Sequence, residues 1–323
     1  MKVERSDILV IGAGPAGMCA GMYGARAMLR TVVLDKLAPG GELLNTDTIE
    51  DYPGFGLIKG SELSDKMEAQ AREFGAEFVL PVEVTEVFKE GDDCVARTAG
   101  DVEYRAPALV LTTGGTPRKL KIPGEEEYAS KGVSYCALCD GAFFRDQVVY
   151  VIGGGDAAVE EADFLTRYAS VVRLVHRRDE FRAQPVIVER AKKNPKLEYR
   201  MSMVTEEIRG NGVVQSIVLK DVKTGKITEE KAEGVFIFVG FTPNSDLLKA
   251  DCCRDDLGFL MTDENMMTDI PGIYAAGDVR HQPVRQITNA VGDATTAAVS
   301  AQKFVEELYE KKGRDYWKAG ATA

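Results

Sequence analysis

The chain has 323 residues, enough for two domains of ordinary size, and its 45% apolar and 28% charged residues are typical of a soluble globular protein. The formal net charge of -11 argues against nucleic acid as a partner. Six cysteines in a chain of this length do not make a disulfide scaffold, and without an export signal we expect a reducing, cytoplasmic compartment, in which any disulfide is transient and catalytic.

The first predicted elements are a strand, a glycine turn and a helix. They lie in SDILVIGAGPAGMCAGMYGARA, where Gly12, Gly14 and Gly17 have GxGxxG spacing. The first glycine permits the turn, the second lets a pyrophosphate approach the backbone, and the third allows close packing of helix and strand. The next strand, RTVVLD, ends at Asp35, whose carboxylate can accept hydrogen bonds from a ribose. This pattern predicts a βαβ dinucleotide site with phosphate at the helix N-terminus.

The same stretch has a second interpretation, because residues 8–25 are uncharged and long enough to suggest a signal peptide or a membrane span. Five glycines and a proline at fingerprint spacing, preceded by Asp7 and without a convincing cleavage site, favour the nucleotide turn. We therefore expect neither export nor membrane insertion.

Two cysteines three apart follow in SYCALCDGAFF, at Cys136 and Cys139. A CxxC turn closes a disulfide easily, and the competing interpretation is half of a zinc site. Zinc normally takes four ligands, and the chain offers no second CxxC and only two histidines, His176 and His281. We therefore expect a dithiol and no metal.

Asp140, directly after the second cysteine, also has two interpretations. A carboxylate beside a dithiol can carry the proton of thiol chemistry, and Asp is a common cap of a local turn or helix. The remaining cysteines are expected to be packing or surface residues: Cys19, Cys94, Cys252 and Cys253.

A second glycine turn begins 141 residues after the first, in QVVYVIGGGDAAVEEADFL, with Gly153, Gly155 and Ala158 at fingerprint spacing. The strand that follows, SVVRLV, ends in HRRDEFR instead of an acid. A carboxylate would repel a 2′-phosphate, whereas Arg177 and Arg178 can pair with it through charged hydrogen bonds. The first turn therefore suits a nucleotide with a free ribose, and the second suits NADPH.

Each glycine turn belongs to one copy of a duplicated module. Hairpin-like strands with turns near Gly91 and Gly225 come next, and then an apolar strand that ends at glycine, in PALVLTTGG and GVFIFVGFTPN. The C-terminal segment contains a short strand, Gly277-Asp278 and a long amphipathic helix. It is too short for a third domain, so we expect it to rejoin the first module.

The predicted fold is therefore α/β, with two Rossmann-like, three-layer ββα domains, the second inserted in the first. Residues 1–116 and 244–323 form the first domain, and residues 117–243 form the second. We interpret the two crossings, near 116–117 and 242–244, as a hinge.

Five motifs, GAGPAG, CALCDG, GGGDAAVEEA, HRRDEFRA and GIYAAGDV…RQI, resemble those of the low-molecular-weight thioredoxin reductases, in the same order and across essentially the whole chain. The resemblance implies a homodimer with FAD in the first domain, NADPH in the second, a redox-active disulfide in the inserted domain and thioredoxin as the substrate, with no nucleic acid or membrane partner. The residues implied for FAD are Gly12, Gly14, Pro15, Ala16, Gly17, Asp35, Gly41, Glu42, Leu43, Asp51, Gly277, Asp278, Arg285, Gln286 and Ile287. Those implied for NADPH are Gly153, Gly155, Asp156, Ala157, Ala158, His176, Arg177, Arg178, Arg182 and Gly240.

Four residues depart from the family's usual pattern. Glu42 replaces a common Gln, Asp51 a common Asn, Ala294 a common Gly and Leu138 a common Thr. All four are expected near the flavin or the dithiol, so they concern the redox potential and the preferred disulfide partner and leave the fold unaffected.

The resemblance also implies roles. Asp278 would bind the flavin ribitol, Cys139 would face the flavin, Cys136 would attack the partner's disulfide, and Asp140 would exchange the proton. The dithiol and the NADPH turn share one domain, so a rotation about the two crossings would bring them to the flavin in turn. Two other functions stay open: a related flavoprotein with another protein acceptor or with ferredoxin as electron donor, the latter disfavoured by the HRR motif, and a non-catalytic sensor of NADPH status.

Overall fold

The computed structural model describes residues 2–45, 48–49, 51–249 and 251–315. They form two compact units: the chain up to Thr116 and from Thr242 onward builds the first, and Pro117–Phe241 builds the second. The second unit is thus inserted in the first, and the chain returns slightly before the expected residue 244.

The strands are β1 (Lys2–Arg5), β2 (Ile8–Ile11), β3 (Thr31–Leu34), β4 (Thr48–Ile49), β5 (Ile58–Lys59), β6 (Glu77–Val79), β7 (Val84–Glu90), β8 (Asp93–Thr98), β9 (Val102–Ala106), β10 (Ala108–Leu111), β11 (Gly115–Pro117), β12 (Val133–Ser134), β13 (Val148–Gly153), β14 (Val171–His176), β15 (Leu197–Met201), β16 (Met203–Gly210), β17 (Val214–Asp221), β18 (Ile227–Lys231), β19 (Gly234–Phe238), β20 (Phe241–Pro243) and β21 (Ile273–Ala275). The α-helices are α1 (Pro15–Arg26), α2 (Gly60–Glu73), α3 (Ala137–Asp140), α4 (Asp156–Leu165), α5 (Pro185–Lys192) and α6 (Ile287–Lys312).

The first unit is built on a parallel sheet of order β21-β10-β2-β3-β6. Its central strand β2 is apolar and buried at every position, because both faces of the sheet are covered. Ile8 and Val10 pack with α1 and α6 on one face. Leu9 and Ile11 pack on the other face with a second, mostly antiparallel sheet of order β1-β9-β8-β7. Successive side chains of β2 point to opposite faces of the sheet, so this one strand contributes to two separate hydrophobic cores.

The second unit repeats these three layers. Its parallel sheet has the order β12-β19-β13-β14-β15. Val149 and Val151 of β13 pack with α4, whereas Tyr150 and Ile152 pack with the antiparallel sheet β16-β17-β18. The predicted α/β fold with two such modules is therefore confirmed.

The local predictions are confirmed as well. Gly91 and Gly225 turn the β7-β8 and β17-β18 hairpins with φ of +60° and +73°. The uncharged run at residues 8–25 forms β2, the glycine turn and most of α1. Within the described ranges, no helix is long and apolar enough to cross a membrane.

Candidate active site and nucleotide sites

The glycine turn of the first unit joins β2 to α1. Gly12 has a φ of +110°, and a Cβ on it would lie 2.4 Å from the carbonyl oxygen of Thr112. A Cβ on Gly17 would lie 1.8 Å from the carbonyl oxygen of Gly12. Gly12 is therefore required for its left-handed backbone, and Gly17 for the contact of helix with turn.

Gly14 faces open space instead. It precedes Pro15, the first residue of α1, with φ of -71° and ψ of -174°. Among the described residues, the atom nearest to a Cβ built on Gly14 is the Cα of Gly41, at 3.9 Å. Gly14, the residue before the helix, makes no side-chain cap, so the first N–H groups of α1 are available to an anion. The turn therefore fits the phosphates of a dinucleotide.

Asp35 follows β3 and braces this turn. Its Oδ2 accepts a hydrogen bond from the N–H of Ala13 at 2.6 Å, and its Oδ1 accepts one from the N–H of Leu37 at 2.9 Å. A carboxylate has about four acceptor sites, more than these two N–H groups use. Asp35 therefore has a structural role that the sequence did not indicate, and it retains acceptor capacity for a ribose.

The carboxyl end of β21 lies beside the start of α1. A Cβ on Gly277, whose φ is +74°, would lie 3.2 Å from the Cβ of Ala16. The absence of that Cβ lets the segment after β21 pack closely against the helix. Asp278 is thereby brought to the edge of the sheet that carries the glycine turn.

Asp278 has an unusual electrostatic environment. Burial raises the pKa of its carboxyl to about 6, and the positive charge of Arg285 offsets only part of this rise. The negative charges of Glu42 and Asp293 add to it. Gln282 donates a hydrogen bond from Nε2 to Oδ1 of Asp278 at 3.2 Å. A buried carboxylate of this kind gains from any further donor, such as a ligand hydroxyl.

The start of α6 lies close to this carboxyl. Gln286 precedes the helix and makes no side-chain cap, and Ile287 begins it. The guanidinium of Arg285 lies over the ring of Phe259, 4.4 Å from its centre. Ile287 packs against the cluster that contains buried Leu43. These residues bring an uncapped helix N-terminus and a cation to the region of Asp278.

The four departures from the family pattern lie in different environments. Glu42 acts on Asp278 through its charge. Asp51 is exposed, and Ala294 is fully buried between α6 and the sheet. Leu138, between the two cysteines, is 45% exposed. Of these four residues, Glu42 therefore has an identified electrostatic effect, because its charge raises the pKa of Asp278.

The glycine turn of the second unit joins β13 to α4 and repeats the features of the first. A Cβ on Gly153 would lie 2.4 Å from the carbonyl oxygen of Phe238 and 2.5 Å from the Cβ of Ala158. Gly155, with φ of -95° and ψ of -177°, precedes α4. No protein atom of the described ranges lies within 4 Å of a Cβ built on it. This turn therefore fits a second set of phosphates.

His176, the last residue of β14, lies beneath this turn. Its ring stacks on Phe181 with centroids 5.6 Å apart, and a Cβ on Gly154 would lie 2.1 Å from its Nδ1. Burial lowers the pKa of His176, and the charges of Arg178 and Arg182 act in the same direction. The ring is therefore neutral near pH 7, and it supports the turn from below.

The arginines of the HRRDEFR motif have a different environment. Arg177, Arg178 and Arg182 are exposed, and none of their guanidinium groups pairs with a carboxylate in the described part of the chain. Arg173, on β14, pairs instead with Glu198 at 2.9 Å. Three cations near a glycine turn, with no carboxylate of the described residues paired to them, can pair with a phosphate group.

The other residues implied for NADPH have structural contacts of their own. Oδ1 of Asp156 accepts a hydrogen bond from the N–H of Gln184 at 2.7 Å, and Ala157 lies in the first turn of α4. The carbonyl of Gly240 accepts one from the N–H of Arg118 at 2.9 Å.

The disulfide lies after β12, the edge strand of the second sheet. Cys136 and Cys139 are bonded, with Cα atoms 5.3 Å apart, and the N–H of Cys139 donates to the sulfur of Cys136 at 3.1 Å. The expected CxxC disulfide is therefore confirmed. The other four cysteines are not bonded: Cys19, Cys94 and Cys252 are buried, and Cys253 is exposed.

Asp140 closes the disulfide segment. Its side chain makes no capping bond to the 3-10 turn Gly141–Phe144, so its alternative interpretation as a cap of that turn is not supported. Its Oδ2 accepts a hydrogen bond from the hydroxyl of Ser134 at 2.5 Å. Sequence reasoning missed Ser134, and the available signal was a hydroxyl two residues before the first cysteine.

Several known proteins are similar to this chain in sequence and fold. Residues 6–294 match the family of pyridine nucleotide-disulphide oxidoreductases. The chain is 46% identical over 305 residues to a thioredoxin reductase of Listeria innocua, covering 94% of this chain and 95% of that one. A solved thioredoxin reductase from Streptococcus pyogenes superposes with a TM-score of 0.90 at 44% identity, covering 94% of this chain and 99% of that one. One from Lactococcus lactis, in its FR conformation, gives 0.65 at 48% identity, with 94% and 100% covered.

Proposed function

Since the chain belongs to the pyridine nucleotide-disulphide oxidoreductases, and within them to the thioredoxin reductases, we propose that it passes electrons from NADPH through FAD to the Cys136–Cys139 disulfide and on to thioredoxin. The chain is an oxidoreductase, and its family implies a flavin and a nicotinamide cofactor. FAD, NADPH and thioredoxin are the specific choices that we propose.

One observation carries the proposal: the disulfide and an open glycine turn belong to the same unit and the same sheet. Cys136 follows β12 and Gly155 follows β13, and the two strands run parallel. The carboxyl ends of parallel strands meet at one edge of a sheet, which is where α/β proteins bind ligands. A disulfide at a dinucleotide edge has redox chemistry as its simplest use.

The charges of the two turns support different nucleotides. Asp35, beside Gly14, would repel a 2′-phosphate but can accept hydrogen bonds from the free ribose of FAD. Arg177 and Arg178, beyond β14, favour the 2′-phosphate of NADPH. We therefore place FAD in the first unit and NADPH in the second.

Bound flavin would supply the two electrons that open the disulfide, after taking a hydride from NADPH. With two protons, this gives the thiols of Cys136 and Cys139. The Cys136 thiolate then attacks one sulfur of the substrate disulfide, whose S–S bond breaks, and Asp140 carries the proton from the attacking thiol to the leaving thiolate. The Cys139 thiol then loses its proton and its sulfur attacks Cys136, which restores the enzyme disulfide. The second substrate sulfur leaves as a thiolate and takes up one proton, so the substrate is released as a dithiol.

NADPH and the disulfide must each reach the same flavin, one after the other. Both belong to the second unit, whereas the flavin is proposed to lie in the first, so the second unit must move between the two half-reactions. We place the required rotation at the two chain crossings, Thr116–Pro117 and Phe241–Thr242. The homodimer implied by the resemblance and the cytoplasmic location expected from the cysteine content stay predictions.

An anaerobic titration tests the proposal. NADPH should bleach the visible absorbance of the purified flavoprotein, NADH should do so much less readily, and oxidised thioredoxin should restore the colour. Recovery only with another disulfide protein would identify a different acceptor. If no protein disulfide restored the colour, the alternative function, a non-catalytic sensor of NADPH status, would be favoured.

A further inference from the structure

Ser134 ends β12 and is 5% exposed. Its hydroxyl lies 2.5 Å from Oδ2 of Asp140 and 3.2 Å from the carbonyl oxygen of Cys136. The same oxygen accepts a hydrogen bond from the N–H of Cys136 at 3.1 Å. One buried side chain therefore contacts both the backbone of the first cysteine and the carboxylate that follows the second.

The distances show where the single hydroxyl proton goes. A separation of 2.5 Å is in the range of O–H donors to ionised carboxylates, about 2.5–2.7 Å, and a contact of 3.2 Å is weak for an O–H donor. The hydroxyl thus donates to Asp140 while its lone pair accepts from Cys136. Because Ser134 belongs to a paired strand, it fixes the carboxylate relative to the disulfide segment.

We propose that Ser134 is a positioning residue for thiol–disulfide exchange and that it acts through Asp140. This inference rests on the proposed function. In the exchange, two enzyme thiols and one substrate disulfide become one enzyme disulfide and two substrate thiols, so electrons and protons balance. Asp140 takes the proton of the Cys136 thiol as its sulfur attacks and gives it to the leaving thiolate, and Ser134 holds the carboxylate in place for both transfers.

Tyr135 offers a matched control, because it is the next residue and also uses a hydroxyl. Its hydroxyl donates to Oε1 of Glu125 at 2.8 Å. Glu125 is buried and also accepts from the N–H groups of Leu120 and Lys121 at 2.9 and 2.6 Å. Tyr135→Phe therefore removes a hydrogen bond of the same segment that does not involve Asp140.

The test is a double-mutant cycle on full-length, cofactor-loaded protein, with reoxidation by thioredoxin followed in a stopped-flow instrument. Ser134→Ala should slow thiol–disulfide exchange by about tenfold or more, since a hydrogen bond to a charged group is lost. In an Asp140→Asn background the same change should have less than about a twofold effect, because the group through which it acts is gone. Ser134→Thr, which keeps the hydroxyl on a strand, should restore most of the rate, and Tyr135→Phe should leave it unchanged.

Equal slowing by Ser134→Ala in both backgrounds would overturn the proposal, and so would equal slowing by Tyr135→Phe. Thermal unfolding of each variant identifies loss of fold, in which case Ser134→Cys, with a weaker donor of similar size, replaces the alanine variant and should give an intermediate rate. Failure of the proposed function is separate: the wild-type protein itself would then not be reoxidised by thioredoxin.

Discussion

The two parallel sheets of this protein have different chemistry at matching positions. The strand before the glycine turn is third in each sheet, β2 in one and β13 in the other, and the next strand along the chain lies beside it. That strand leads into Asp35 in the first unit and ends with His176, followed by Arg177 and Arg178, in the second. The glycine turn before a helix is therefore common to both units, and we propose that the charge at the end of the next strand selects which ribose is bound.

The edge strands differ further. β21 comes from the C-terminal return of the chain, and β12 comes from the segment before the second glycine turn. Each is nevertheless an edge strand, two places from the strand that leads into the glycine turn. Asp278 follows β21, and the disulfide follows β12. A carboxyl proposed to hold flavin and a pair of reactive sulfurs thus occupy equivalent places. The sheet sets the place, and the residues after each strand set the chemistry.

The largest expected effect comes from the two sulfurs of the second unit, whose place in the first unit is taken by a carboxyl. Cys136→Ser and Cys139→Ser should each abolish thioredoxin reduction, while NADPH still bleaches the flavin, because hydride transfer needs no sulfur. Cys139→Ser keeps the attacking thiol and should form a stable mixed disulfide with thioredoxin. Mass spectrometry of the trapped complex checks this. If Cys136→Ser formed the stable adduct instead, Cys139 would be the attacking thiol and Cys136 the one that faces the flavin.

The next effect comes from a matched pair of glycines, Gly14 and Gly155. Both have extended backbones open to any residue, and no protein atom of the described residues lies closer than 3.9 Å to a Cβ built at either position. Valine at each should therefore fold normally and fill the space that we assign to phosphates. Gly14→Val should purify without flavin, whereas Gly155→Val should be yellow and unresponsive to NADPH.

Absorbance spectra and thermal unfolding without cofactor measure the two consequences separately. Gly12→Val is the contrasting control, because its Cβ would collide with the backbone of Thr112 and should destabilise the fold. A colourless Gly155→Val protein would reverse the assignment of cofactors to units.

Much of this could be predicted from the sequence, because the features concerned are local. The two glycine turns, the hairpins at Gly91 and Gly225 and the long helix α6 each have their own signature in a few consecutive residues. Strand β1 does not: KVER has no apolar alternation, and it is a strand because Lys2 pairs with Val102, far along the chain.

The site was predictable by residue type but less so by contact. The HRR motif indicated positive charge, but which of its three residues turns inward depends on the twist and depth of β14, and the structure buries His176. The hydrogen bond of Ser134 to Asp140 depends on the path of the chain through the disulfide and the short helix α3, which the spacing of the two residues in the sequence does not indicate.

A smaller effect is expected from the arginines that distinguish the second unit. The double substitution of Arg177 and Arg178 by alanine should weaken NADPH binding by at least about tenfold, since each charged hydrogen bond is worth about 1.5–3 kcal/mol before screening by solvent. NADH, which lacks the 2′-phosphate, should bind nearly as before. Titrations of both nucleotides measure the ratio, and equal losses would reduce the arginines to a solvated basic patch.

The smallest effect concerns Asp278, because burial of its carboxylate at the edge of the first parallel sheet lowers the free energy of unfolding. Burial raises the pKa of its carboxyl in the folded protein from 3.8 to about 6. Between these values the cofactor-free folded protein binds a proton that the unfolded chain has released, so its free energy of unfolding falls as the pH rises. At about 1.4 kcal/mol for each pKa unit, and allowing for partial exposure, the loss at neutral pH is about 1–2 kcal/mol.

Asp278→Asn should therefore raise the free energy of unfolding of the cofactor-free protein at pH 7 by about 1–2 kcal/mol and flatten its fall between pH 4 and pH 6.

Asp255 supplies a control of opposite sign in the same unit. Burial alone would raise the pKa of Asp255, but hydrogen bonds from His281 and from the N–H groups of Phe259 and Leu257 lower it, so Asp255→Asn should destabilise at pH 7. Urea unfolding at pH 4, 5, 6 and 7 measures both variants. Asp278→Asn should also retain less flavin, because an amide accepts fewer hydrogen bonds from a ribitol than a carboxylate does. A less stable cofactor-free Asp278→Asn protein at pH 7 would mean that the carboxylate is stabilised by its neighbours and not destabilised by burial.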